Sequence, residues 1–231
     1  MTDSVPIAYG LLARALAEST NVDEVVNQLV RFAVQSLRTD FGGITLINPG
    51  KRFETVGATH PTVLQADALQ YELGEGPCVD ASLRSKSLSS SDLASDPRWP
   101  RWGPMASELG FRSVISAELN ARGRRIGAIN LYGDATTEFT AEDLETAQLF
   151  AYQGSLALSY ARSEEGLRQA VDSRTLIGQA QGVLMERFGI GAEQAFAVLR
   201  RFSQENGTKL RDIATHVIEE RELPTITDRL A

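Results

Sequence analysis

Strand rhythm stops at Thr140. Between Phe41 and Tyr132 short β-branched runs recur, whereas beyond Thr140 apolar residues return only at helical spacing. One layered domain does not segregate its elements in this way, so the 231 residues divide into a mixed α+β part and an all-α part. In the first part, Val22, Val25, Val26, Leu29, Val30, Ala33 and Leu37 form one helical face, with Asn21 placed to cap it. Phe41–Asn48, the Pro49-Gly50 turn and the alternating run Arg52–Thr59 predict a hairpin. Ser113–Leu119 and Arg125–Tyr132 predict a second, turning through Asn120–Arg124 with Gly123 at positive φ. Short helices over 63–72, 77–83 and 99–109 and a short strand over 86–90 are expected between the hairpins.

The second part opens with Thr140-x-x-Asp143, a variant capping box. No proline interrupts the chain over 163–188, which predicts a long helix with a kink near Gly166. Along it, Tyr160, Ser163, Leu167, Ala170, Arg174, Ile177, Gln181 and Leu184 step by threes and fours, a coiled-coil seam broken by Arg174 and Gln181. That seam suggests a parallel homodimer. A helix over 192–204 follows, with Ala195, Phe196, Leu199 and Phe202 on its apolar face and Asn206-Gly207 ending it. Thr208 is placed to cap a last helix carrying Leu210, Ile213, Ala214, Val217 and Ile218, and Pro224 to stop it.

Composition sets outer bounds. At 42% hydrophobic and 23% charged the chain has ordinary globular usage. A formal charge of −7 argues against coating nucleic acid by bulk attraction. One cysteine, Cys78, and two histidines provide neither an internal disulfide nor a closed zinc site, so no metal site is expected and no cofactor is indicated. The apolar run Val5–Ala13 follows Asp3 and lacks the positive flank of a secretory signal, and no stretch is long enough to span a membrane. A cytoplasmic protein without membrane contact is the expectation. Nucleophile-elbow, HExxH and Walker signatures are missing, which speaks against an enzyme.

Several spaced motifs carry a family resemblance. Tyr71-Glu-Leu-Gly-Glu-Gly-Pro-Cys-Val-Asp80, Asp92–Pro100, Phe111–Ser116 and Arg125–Leu131, in that order, resemble a GAF domain over about 8–162. Ser173-Arg-x-Leu-Ile-Gly-Gln-Ala-Gln-Gly-Val-Leu-Met185, Ala195-Phe-x-x-Leu-Arg200, Ser203-x-x-Asn206 and Lys209–Ala214 resemble an ANTAR domain over about 164–224. Gln181 stands where many ANTAR members carry lysine. The resemblance implies an α+β sensor domain (1–162), a central antiparallel sheet flanked by helices. A long helix would join it to a small all-α three-helix domain (163–231). It implies a regulator that binds RNA hairpins in nascent transcripts and acts as an antiterminator, gated by a small-molecule or redox signal at the sensor.

Residue chemistry narrows the sites. From Arg187 to Arg211 five cations (Arg187, Arg200, Arg201, Lys209, Arg211) face only Glu193 and Glu205, a window of net charge +3. Ser203 and Asn206 add polar groups for phosphates or base edges, and Gln181 and Gly182 complete the proposed RNA face. Gly182 within a helix marks close approach, either of another helix or of an RNA backbone. Met185 reads as core. In the sensor half Tyr71, Gly74, Gly76, Cys78, Trp99 and Trp102 are the pocket residues. The Leu73–Cys78 loop reads equally as pocket rim or structural turn, Cys78 as redox sensor or buried filler, and the tryptophans as pocket cover or loop anchor. Two other functions are consistent with the residues. One is a DNA-binding helix-turn-helix regulator using Leu210–Ile218, although Asp212, Glu219 and Glu220 oppose it. The other is a dimeric ligand-binding protein without nucleic-acid affinity.

Overall fold

The alternating runs become a five-stranded antiparallel sheet in the computed structural model, which describes residues 4–48, 50, 52–83 and 87–223. Its strands are β1 (Phe41–Asn48), β2 (Arg52–Val56), β3 (Ser87–Ser90), β4 (Ser113–Ala121) and β5 (Arg124–Gly133), ordered β2-β1-β5-β4-β3. Both predicted hairpins form, and β4 turns into β5 through Arg122 and Gly123, each at positive φ. The helices are α1 (Ser4–Glu18), α2 (Val22–Leu37), α3 (Pro61–Leu73), α4 (Pro77–Leu83), α5 (Trp102–Glu108), α6 (Ala141–Phe188), α7 (Ala192–Asn206) and α8 (Leu210–Glu220). The chain divides into two compact units, one through Arg162 and one from Ser163.

The period of two along each strand separates the sheet into unlike faces. Ile44, Leu46, Ile115, Ala117, Leu119, Ile129 and Leu131 point to one side. There they meet Leu12 of α1, Val26, Leu29 and Val30 of α2, and Ala147, Phe150, Ala151 and Leu158 of α6. Gly154 lets α6 approach α2, because a Cβ there would collide with Leu29. The other side carries Thr45, Ser116, Asn130 and Tyr132, buried yet largely polar. Aromatic packing holds the edge of that layer, with Trp99 against Trp102 (centroids 5.8 Å apart) and Phe111 against Tyr132 (4.6 Å).

Helix ends follow local chemistry. Asn21 Oδ1 accepts the Glu24 amide at 2.9 Å, and Thr140 and Asp143 exchange backbone-to-side-chain bonds at 2.7 and 3.2 Å. These caps are as expected from sequence. Several local expectations are corrected. α1 is a helix that puts Leu12 and Leu16 into the core, a role that its apolar run alone does not specify. α5 begins at Trp102 rather than 99. The long helix expected across Gly166 forms as the single element α6, since one glycine costs a helix only about 1 kcal/mol. Lys209, not Thr208, is the first flanking residue of α8, and Thr208 donates its hydroxyl to Asn206 instead. α8 ends with Arg221 in the left-handed region; Pro49, Lys86 and Pro224 lie outside the described residues.

In the second unit Ala180 and Leu184 of α6 are buried with Ala195 and Leu199 of α7 and Ile213, Ala214 and Val217 of α8. Ile177 packs against the same cluster. The seam expected to continue through Ile177 and Leu184 is therefore used inside one chain. Met185 is partly exposed rather than core.

Candidate functional sites

The polar face of the sheet and α3 enclose the first candidate site. On α3 the helical spacing that buries Val63 and Ala66 also buries Asp67 and Gln70. Asp67 accepts from the Tyr132 hydroxyl at 2.7 Å and Gln70 Nε2 at 3.1 Å on Oδ1, and from Thr55 at 2.9 Å on Oδ2. Burial raises its pKa to about 6, while the bonds from Tyr132, Thr55 and Gln70 work in the opposite direction. The Tyr71 hydroxyl lies 2.7 Å from Thr45 Oγ1 and 2.6 Å from Thr55 Oγ1, and its ring stacks on Phe53 at 5.2 Å. Burial, then the nearby Asp67 carboxylate, pushes both Tyr71 and Tyr132 upward, so both phenols stay neutral. Asn130 donates to Thr45 (3.2 Å) and accepts from Ser116 (2.7 Å), extending the network across β1, β5 and β4.

The expected sensor residues fall on two sides of this network. Tyr71 belongs to it. Gly74 ends α3 in the left-handed region, and Gly76, at φ 137°, has no room for a Cβ beside the Gln70 amide. Gln70 Oε1 accepts the Cys78 backbone N–H at 2.8 Å, so this loop is tied to the network through Gln70. Cys78 itself is fully buried with Ala81 and Ala128. Trp99 and Trp102 are buried in the packing layer, donating their indole N–H groups to Asp80 Oδ2 and Ala66 O, both at 2.9 Å. Both act as anchors there. Sequence reasoning missed Asp67, Gln70, Tyr132, Thr45, Thr55, Asn130 and Ser116. Polar residues at core-facing positions, such as Asp67 beside Ala66 or Asn130 between Ile129 and Leu131, were the available signal.

A separate open cleft of about 590 Å³ lies beside β3, lined in part by Ser90, Asp92, Asp96, Arg98, Glu138 and Phe139. Arg98 pairs with Asp96 at 2.6 Å and also donates to Ser89 O. Desolvation opposes it, but the bonds from Arg98 and Ser90 bring Asp96 down to about 2. Arg98 and the Thr137 N–H, which bonds to Ser91 O, cover part of the free edge of the sheet.

The second candidate site is the surface of the three-helix unit. Arg200, Arg201, Lys209 and Arg211 are exposed. Arg201 bonds Glu205 at 2.7 Å, Arg211 bonds Asp212 at 3.1 Å, and Arg187 bonds Glu222 at 3.1 Å and also Arg221 O. Arg200 and Lys209 form no ion pair among the described residues. Ser203 donates to Thr208 O at 2.7 Å across the α7–α8 turn, and Asn206 donates back to Phe202 O at 2.9 Å within the last turn of α7. Gln181 reaches the start of α7, donating to Ala192 O at 3.0 Å. A Cβ on Gly182 would meet nothing within 4 Å, so no other helix of the same chain packs closely on that glycine.

Family models match this division of the chain. A GAF domain model covers residues 19–159 and an ANTAR domain model residues 165–218. The chain belongs to the GAF family and carries an ANTAR domain behind it. Solved structures of other proteins resemble the chain. One is the GAF domain of an Acinetobacter phosphoenolpyruvate-protein phosphotransferase (13% identity, 71% of this chain and 97% of that one, TM-score 0.55). Another is the free methionine-R-sulfoxide reductase of Neisseria meningitidis, solved with its substrate (14% identity, 71% and 95%, TM-score 0.56). A bacteriophytochrome from R. palustris aligns over 90% of this chain and 48% of its own (11% identity, TM-score 0.60). At these identities the likeness establishes the GAF fold alone. No curated protein matches the chain. The GAF–ANTAR order makes it a signal-regulated ANTAR regulator. Among the described residues no helix is long and apolar enough to cross a membrane.

Proposed function

We propose that this GAF–ANTAR protein is a homodimeric, cytoplasmic transcription antiterminator, not an enzyme. In this reading the ANTAR domain binds hairpins in nascent RNA and the GAF domain gates that binding. The observation that carries the reading is the ANTAR match over 165–218, with exposed cations on the same domain. Hairpin loops present unstacked bases and a dense phosphate backbone, which suit arginine and lysine on an open helical surface. Exposed pairs such as Arg201–Glu205 are weak because water screens them, so a phosphate can displace the carboxylate. Arg200 and Lys209 form the standing part of the face, and Arg187, Arg201 and Arg211 join it when RNA competes for them. Gly182 leaves room for close approach of an RNA backbone, since nothing else in the chain lies within 4 Å of a Cβ there.

The gating signal is a small molecule acting on the Asp67–Tyr71–Tyr132 network, which links four strands and α3. Burial of Cys78 weighs against a redox signal, because oxidants act on accessible thiolates. A helix-turn-helix reading is disfavoured by α8, which exposes Glu219 and Glu220.

The double variant Arg200→Ala/Arg201→Ala tests the face. Hairpin affinity should fall at least about tenfold, and the slope of log affinity against log salt should shrink by about two. Parent-like binding with an unchanged slope would place the RNA elsewhere.

A further inference from the structure

The sensor domain carries a cluster of cations of its own, outside the Asp67 network. β4 passes into β5 through a two-residue turn, Arg122-Gly123, with φ of 53° and 77°. Two successive positive φ values define the type I′ turn, which asparagine or aspartate followed by glycine fits best. Arginine is a costly choice there, because its Cβ crowds the carbonyl and its side chain makes no local bond in return. Arg124 and Arg125 follow at once, and no carboxylate stands between Glu118 and Asp134. Register adds a fourth cation. Asn120 pairs with Arg125, Leu46 with Gly127 and Asn48 with Arg52, so Arg52 starts β2 at the same end of the sheet. Adjacent strands lie about 4.8 Å apart, which makes the row from β2 across β1 to β5 about 10 Å long.

Pairing within the domain leaves most of this charge unused. Arg125 pairs with Glu118 at 3.3 Å. Arg52, Arg122 and Arg124 are exposed and form no side-chain hydrogen bond or ion pair among the described residues. Glu54, two residues from Arg52, accepts the Asn48 amide at 2.5 Å instead. Free guanidinium groups present forked donors that match phosphate oxygens two at a time. A paired hairpin holds them in place, so no loop has to be ordered on binding. A nucleic-acid strand carries one negative charge about every 3.4 Å, so a row of about 10 Å meets roughly three phosphates. Carboxylates of an extended acidic peptide return to one face only about every 6.8 Å, which suits the row less well.

We propose that the β4–β5 tip, with Arg52 beside it, is a second RNA-contacting surface that grips phosphates outside the hairpin loop. It rests on the functional reading for the RNA itself, and gives the sensor domain a contact which that reading gives only to the ANTAR domain. Phosphate contacts carry no base information, so this surface adds affinity and salt dependence rather than sequence preference.

Two RNAs with one loop test it on the full chain: a bare hairpin, and the same hairpin with single-stranded flanks on both sides. The flanked RNA should bind the parent at least about tenfold tighter than the bare one. Arg122→Asn/Arg124→Gln puts a residue suited to the turn at its first position, so the melting temperature should not fall. This variant should bind the bare hairpin as the parent does and lose most of the gain from the flanks. Its salt slope for the flanked RNA should shrink by about 1.4, at roughly 0.7 per single-strand phosphate. Labelling of the parent with phenylglyoxal, read by peptide mass, should show Arg122 and Arg124 protected by the flanked RNA. Arg38, exposed before the start of β1, should stay reactive. Equal affinity of the parent for both RNAs, full retention of the gain by the variant, or unprotected turn arginines would overturn the contact. So would protection by polyglutamate without protection by RNA, which would assign the tip to an acidic polypeptide. A parent that binds neither RNA would overturn the functional reading as well, so the two failures are distinguishable.

Discussion

Asp67 is the residue at which burial and charge conflict most directly. All of its hydrogen-bond partners are neutral, so the ionised carboxylate is held by donors alone. Its pKa of about 6 in the fold exceeds the ordinary value of 3.8, so the native state holds the proton that the unfolded chain releases. Stability therefore falls as pH rises from about 4 to about 6 and is level with respect to this group above that. Asp67→Asn should remove this segment of the profile, on the order of 3 kcal/mol, while the hydroxyls of Tyr132 and Thr55 reorient to suit the amide. Urea midpoints of parent and variant from pH 4 to 7 read the difference; parallel curves would show that Asp67 does not titrate there. Gly182 gives a second prediction. Gly182→Ala should stabilise the ANTAR domain by about 1 kcal/mol, since helix propensity improves and no neighbour objects. Hairpin affinity should nevertheless fall, and thermal melts beside RNA titrations separate the two effects.

Among the elements, α6 serves the most masters. Its first part fills the GAF core, and Ala180 and Leu184 complete the ANTAR core. Leu184→Ala should cost about 2–5 kcal/mol, the range for a large-to-small change in a closed core. The loss should appear in the ANTAR transition by calorimetry, with the GAF transition unmoved. Elements of this chain were legible where local chemistry decides them. The Asn21 and Thr140–Asp143 caps and the Gly123 turn depend on residues within one turn of each other. The seam through Ile177 and Leu184 was misassigned because periodicity reports an apolar face without naming what covers it. Asp67 and Asn130 escaped notice for a related reason. Their polarity suggested surface, and only the register of α3 against β5 brings them to a common interior. Thr208 stands one residue before the flanking Lys209, and its hydroxyl turns back to Asn206 O rather than toward the α8 amides.

Across the whole molecule, charge restricts what the protein can bind. The net −7 is unfavourable to unselective attachment to nucleic acid, while the cations between Arg187 and Arg211 form a local positive field. Several of them rest on carboxylates of the same chain, which further lowers affinity for arbitrary RNA. In the proposed function, selectivity comes from paired hairpins and two copies of the ANTAR domain, where linked contacts multiply. A signal at the GAF domain needs a coupling of only about 1–3 kcal/mol to change binding 5–150-fold. The most direct test of the central claim is a competition measured by fluorescence anisotropy. A labelled RNA carrying two hairpins is bound to the full chain, then displaced with unlabelled hairpin RNA or duplex DNA of equal length at physiological salt. Hairpin RNA should compete at least about tenfold better than DNA, because the proposed function has this surface reading single-stranded loop edges. Equal displacement by duplex DNA, or no binding of the hairpin RNA at all, would contradict the account.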